Sequence, residues 1–248
     1  MGIFSAINRP VTSPTQQGRD IWWRVRHGRL LRKRFIVLTI CFAAIAIRAN
    51  AQPASVAATS QDPGRGSGAG WSLRVSLAGY FIPDDDDYVQ PTVAADRGPL
   101  HLESRYNYEG RDSVSAFVGW NIAFGGAVTV QLTPMFGIVA GDTDGLVPAL
   151  ELDVTWRRLE LYSEGEDVTD LDSHEENFFY NWSEASLWMT DWLRAGLVTQ
   201  RTRVYQTPRD IQRGVLVGLA GSRVEGAVYF FNPGSDDHFV VTSIGVTF

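Results

Sequence analysis

From Trp71 onward the chain alternates apolar and polar residues with a period of two, in segments of about eight to thirteen residues. Leu73, Val75, Leu77, Gly79 and Phe81 fall on one face, against Arg74, Ser76, Ala78 and Tyr80. The same alternation runs through 113–124, 127–139 and 146–156, and it closes the chain with Val240, Thr242, Ile244, Val246 and Phe248. Helical three-and-four spacing is hard to find. The pattern predicts strands near 71–82, 88–96, 100–108, 113–124, 127–139, 146–156, 159–165, 177–188, 193–205, 212–220, 224–231 and 239–248. That makes twelve, or ten if the segments at 88–96 (with Pro91) and 159–165 are not strands.

The connections fall into two alternating sets. Those at 83–87, 109–112, 141–144, 166–176, 207–210 and 232–238 are long and mostly acidic, whereas those at 96–99, 125–126, 157–158, 191–192 and 221–223 are short. An up-and-down transmembrane barrel requires this segregation, with loops outside the cell and tight turns in the periplasm. A soluble sandwich does not. The expected fold is therefore all-β, an up-and-down antiparallel transmembrane β-barrel spanning 71–248. Aromatic residues near segment ends, such as Trp71, Phe81, Trp120, Trp156 and Trp192, fit girdles at the two membrane interfaces.

The first fifty-one residues have a different character. They hold nine of the 22 Lys+Arg and one of the 28 acids. Arg32-Lys33-Arg34 precedes thirteen uncharged residues, Phe35 to Ile47, and then Arg48 and Ala49-Asn50-Ala51. A cationic region, an apolar run and a small-x-small site, in that order, make an export signal. The apolar run covers roughly 20 Å as a helix, short of a ~30 Å hydrocarbon core, which favours a cleaved signal over a membrane anchor. The stretch before Arg32 is long for such a signal, which fits either a translation start downstream of Met1 or an extended leader. Residues 1–51 thus read as leader and signal peptide, and 52–70, rich in Ala, Ser, Gly and Pro, as a flexible periplasmic tail.

Without the leader, thirteen basic side chains face twenty-seven acidic ones, a net charge of −14. Bulk electrostatics then exclude nucleic acid as a partner. The single cysteine, Cys41, lies in the leader, so the barrel has no disulfide and no thiolate metal site.

The closing segment from His238 to Phe248 resembles the C-terminal strand signal of Gram-negative outer-membrane barrels. That resemblance implies an outer-membrane location, lipid and lipopolysaccharide as surroundings, and recognition of Phe248, Val246 and Ile244 by the barrel-assembly machinery. No particular family within the class is indicated.

The face opposite the apolar one predicts the lumen. His101, Glu103, Arg105 and Asn107, then Glu151, Asp153, Glu160 and Glu164, are the candidate lining residues, with Arg201, Arg203 and Arg213 as further candidates. Arg201 and Arg203 share the parity of Leu193, Ala195 and Leu197, so they need either a bulge or a position above the membrane. Mixed and mostly acidic charge suits a wet, salt-bridged interior. The expected function is a small porin-like channel for polar or charged solutes that weakly prefers cations. The alternative is a non-conducting structural or adhesin-type barrel whose interior charges pair with one another.

Enzymatic function is not expected. The serine–histidine arrangement of outer-membrane phospholipases fails at His101, which has Glu103 two residues on, and Ser104 lies on the other face. The paired carboxylates of omptin proteases resemble Asp236-Asp237-His238 and Asp84 to Asp87 only superficially. No cofactor is expected, although hard carboxylates at Asp84, Asp85, Asp86, Asp87, Asp236 and Asp237 are candidates for Ca²⁺ or Mg²⁺.

Overall fold

The computed structural model describes residues 70–83, 85–172, 176–204 and 210–248, with Arg203 and Val204 described as backbone only. The predicted export signal, the tail through residue 69, Asp84 and the segment 205–209 lie outside the described residues.

Thirteen strands are present among the described residues: β1 Ser72–Phe81, β2 Tyr88–Arg97, β3 Leu100–Tyr106, β4 Val114–Trp120, β5 Ile122–Gly125, β6 Val128–Ala140, β7 Gly145–Trp156, β8 Leu159–Asp170, β9 Phe178–Trp188, β10 Leu193–Val204, β11 Asp210–Ala220, β12 Val224–Phe231 and β13 Phe239–Thr247. Each pairs antiparallel with its neighbours, and β1 pairs with β13, so the sheet closes on itself. Closure removes every edge, as a strand-built structure in lipid requires.

The thirteen strands make twelve staves. β4 and β5 are one stave interrupted at Asn121, and both pair with β6 in a single register, Gly119 opposite Met135 and Ile122 opposite Leu132. The gap faces Pro134, which has no amide N–H to give to the ladder. Asn121 is held there by its side chain, which donates to Asp96 Oδ1 (2.7 Å) and accepts from Thr133 Oγ1 (2.7 Å).

One boundary departs from the sequence expectation. β8 runs on to Asp170 instead of ending at 165, because Glu166, Val168 and Asp170 continue its inward parity between β7 and β9. The charge of the acidic run at 166–176 predicts a loop. Its first half is wall.

The outer face carries Leu73, Val75, Leu77, Val118, Phe136, Ile138, Leu161, Val217 and Val228, all exposed, where a water-soluble fold would have buried them. The inner face holds two apolar clusters toward the end of the long connections. One contains Tyr80, Leu216, Tyr229 and Phe231, and the other Phe117, Met135, Val139 and Val168. Tight turns close the opposite end; at Gly98, in the two-residue connection between β2 and β3, φ is +56°.

Candidate functional site

The interior is organised around Arg105, which β3 turns inward two residues after Glu103. Its Nε is ion-paired with Glu103 Oε1. Nη2 lies 2.6 Å from Glu164 Oε1, and Nη1 lies 3.1 Å from Glu166 Oε2 and 3.8 Å from Glu109 Oε1. One guanidinium thus serves four carboxylates drawn from β3, β8 and the β3–β4 connection. It also stacks over the rings of Tyr108 (4.3 Å) and Phe117 (4.6 Å). Tyr108 and Tyr162 each donate a 3.0 Å hydrogen bond to Glu164 Oε2, and Tyr162 makes a longer one, 3.4 Å, to Glu151. Ser115 donates to Glu109 at 2.8 Å. Burial pushes the Glu109 carboxyl above the ordinary carboxylate range, against the pull of Arg105.

Three further groups lie nearer the short turns. Arg194, wholly buried, lies 2.8 Å from Glu184 Oε2, 3.1 Å from Ser186 Oγ and 3.8 Å from Glu160 Oε1. The indoles of Trp188 and Trp182 complete this set by donating to Glu160 (2.8 Å) and Glu184 (2.9 Å). Gly218 makes room for it, since a Cβ there would come within 2.8 Å of Arg194 Nε. His101 Nδ1 lies 2.9 Å from Asp96 Oδ1, and its Nε2 lies 3.6 Å from Glu103. Arg74 is paired with Glu225.

Of the residues singled out in the sequence, His101, Glu103, Arg105, Glu151, Asp153, Glu160 and Glu164 face inward and are buried or half-buried. Asn107 does not line the interior wall. With φ +58° it holds the β3–β4 hairpin, donating to Val89 O (3.0 Å) and accepting from Asp112 N (2.8 Å). Arg201 and Arg213 lie on the outer parity instead of the lumen. The β10 register is unbroken from Leu193 to Thr202 against β11, so no bulge reverses the face, and Arg201 rests over Phe179 at 5.5 Å. Arg213 is exposed between Ile211 and Val215. The Arg203 side chain lies outside the described residues.

The acidic loop candidates are engaged locally. Asp85 pairs with Arg111 (3.3 Å), Asp87 accepts from Ile82 N (3.3 Å), and Asp237 accepts from Asn232 (3.2 Å) and Ser235. Asp86 and Asp236 are in the same two loops. Among the described residues no group of three or more His, Cys, Asp or Glu side chains is placed to hold a metal ion. At the terminus, Phe248 N donates to Leu73 O (2.8 Å), while Val246 and Ile244 lie opposite Val75 and Leu77 across the closing seam.

Several interior charges were not singled out in the sequence: Arg74, Asp96, Glu109, Glu166, Asp170, Glu184, Arg194 and Glu225. Parity alone locates most of them, since Arg194 opposes the apolar face of Leu193, Ala195 and Leu197. In total, eleven carboxylates turn inward among the described residues, against three arginines and His101. Four of these carboxylates (Glu103, Glu151, Glu164 and Glu184) and two of the arginines (Arg74 and Arg105) line an interior cavity of about 150 Å³.

No family model matches the chain, and no curated protein does. Solved structures do. The KdgM porin aligns over 71% of this chain and 98% of its own length at 10% identity, with a TM-score of 0.52. The structure titled KdgM porin in complex with disordered oligogalacturonate gives 0.54 over 71% and 99%, also at 10% identity. The chain has the fold of a small outer-membrane porin. The NanC porin agrees, with a TM-score of 0.51 at 9% identity over 70% of this chain and 98% of that one.

Proposed function

We propose that this porin-like barrel is a narrow outer-membrane channel for small polar solutes, preferring cations. The carrying observation is the excess of inward carboxylates over inward arginines. Fixed negative charge in a confined space concentrates cations and repels anions. A Gram-negative-type outer membrane is the location that the apolar outer wall, the terminal strand and the export signal in the sequence support together. Lipopolysaccharide and the barrel-assembly machinery are the partners this implies. Reversal potentials of the refolded protein in planar bilayers under a salt gradient test the reading. A cation-selective potential is expected, and anion selectivity overturns it.

One observation favours a second reading. All three interior arginines are ion-paired, and they tie the wall together around a small cavity. A barrel closed in this way serves as a structural or adhesive element and carries no current. Absence of any conductance from correctly refolded protein selects it.

A further inference from the structure

The cavity inside the barrel combines two kinds of wall. Tyr108 and Tyr180 are among the aromatic rings it presents, and four glutamates, Glu151 and Glu164 among them, share its wall with Arg74 and Arg105. The carboxylates of the wall outnumber its guanidiniums two to one, and Arg74 is already paired with Glu225. Glu164 Oε1 is met by Arg105, the same guanidinium that serves Glu103, Glu109 and Glu166. Glu151 accepts a long hydrogen bond, 3.4 Å, from Tyr162. The protein already shows which group suits these surroundings. Arg105 sits against Tyr108 and Phe117 with its nitrogens on carboxylates, a guanidinium held by rings and acids together.

We infer that this cavity is a binding site for a small organic cation of the guanidinium type, held by Glu151 and Glu164 and flanked by the tyrosine rings. A compact metal ion would leave the rings unused. A neutral solute would leave the excess of carboxylates over guanidiniums in the wall uncompensated. A planar cation satisfies both, by charge-assisted hydrogen bonds at its edge and by cation–π attraction at its face. The volume sets the size, since a cavity of about 150 Å³ holds a molecule on the order of benzene. The inference rests on the cation-preferring reading of the lumen and names the class of solute that the lumen selects.

The test is calorimetric titration of the full chain, refolded in detergent, with methylguanidinium, and with N-methylurea as its neutral counterpart. Methylguanidinium is expected to bind at one site and N-methylurea is not. Glu151→Gln should weaken binding about tenfold, the loss of one hydrogen bond to a charged group. Tyr180→Leu, which keeps every charge, should weaken it about threefold through the lost ring. Equal binding of the two probes, no binding of methylguanidinium, or binding unchanged in both variants overturns the site. Ion selectivity measured on the same preparation separates the two proposals. Cation-selective current without methylguanidinium binding refutes the site and leaves the channel; binding without current refutes the channel and leaves the site.

Discussion

Arg105 Nη2 lies 2.6 Å from Glu164 Oε1, joining β3 to β8, strands with three staves between them. The contact therefore crosses the interior and does not follow the wall. It is both a brace and an obstruction, so removing it has two separable consequences.

Arg105→Ala leaves four carboxylates facing one another without their shared cation. Breaking a buried pair by deleting one partner costs about 3–5 kcal/mol. Urea unfolding of the refolded barrel should show a loss of this order. Where the variant still folds, single-channel conductance should rise and cation preference should strengthen. Unchanged stability would mean that water already screens the cluster.

The Arg194–Glu184 pair offers a cleaner measurement, because both groups are enclosed and 2.8 Å apart. Arg194→Met and Glu184→Gln should each destabilise by about 3 kcal/mol. The double variant should cost less than the sum of the two, since neither charge is then stranded. Additive losses would place the energy in the packing of Trp182 and Trp188.

Glu109 supplies a pH signature. It lies in the β3–β4 connection, and burial raises its pKa above the unfolded value of about 4.3. The neutral form is therefore the one the fold favours. Its contribution is complete below the unfolded value and is lost as pH rises through the higher folded value. Glu109→Gln should accordingly show little change in melting temperature at pH 4 and a relative gain at pH 8. A constant offset across that range would mean that Arg105 neutralises Glu109 fully.

What the sequence disclosed and what it hid follow from the same cause. A strand's side-chain period is two, so the inward position of Glu103, Arg105, Glu151 and Glu164 is legible one residue at a time. Partners across the lumen are not, because they depend on how many staves close the ring. Arg194 and Glu184 illustrate this: their parity was readable, but each lies among residues that look like ordinary wall. Charge also misled in both directions. Glu166 and Asp170 read as loop and are strand, whereas Arg201 and Arg213 read as lining and face outward, since the β10–β11 register is unbroken past both of them.

The topology is checked from outside the cell. Epitope tags inserted at 141–144 or 232–238 should be reached by antibody on intact cells, while a tag at Ser222 should not. These positions lie at opposite ends of the staves. Uniform accessibility, or the reverse pattern, would break or invert the assigned orientation.

Cation preference is the prediction on which the proposed function depends, and its behaviour with salt distinguishes its source. Glu151 and Asp153 sit on one strand facing the interior, and Glu151 borders the cavity. Carboxylates at a constriction select by direct contact, which salt screens little. Acidic residues at the long loops act at a distance, and the Debye length shrinks from about 30 Å at 0.01 M to about 10 Å at 0.1 M salt. The selectivity ratio should therefore fall as salt rises and then level off at a value still favouring cations. Glu151→Gln with Asp153→Asn should lower that high-salt plateau while leaving the salt-dependent part intact. Neutralising Asp85, Asp86 and Asp87 should do the opposite. A plateau at no selectivity would place all of the preference in the loops and none in the lumen.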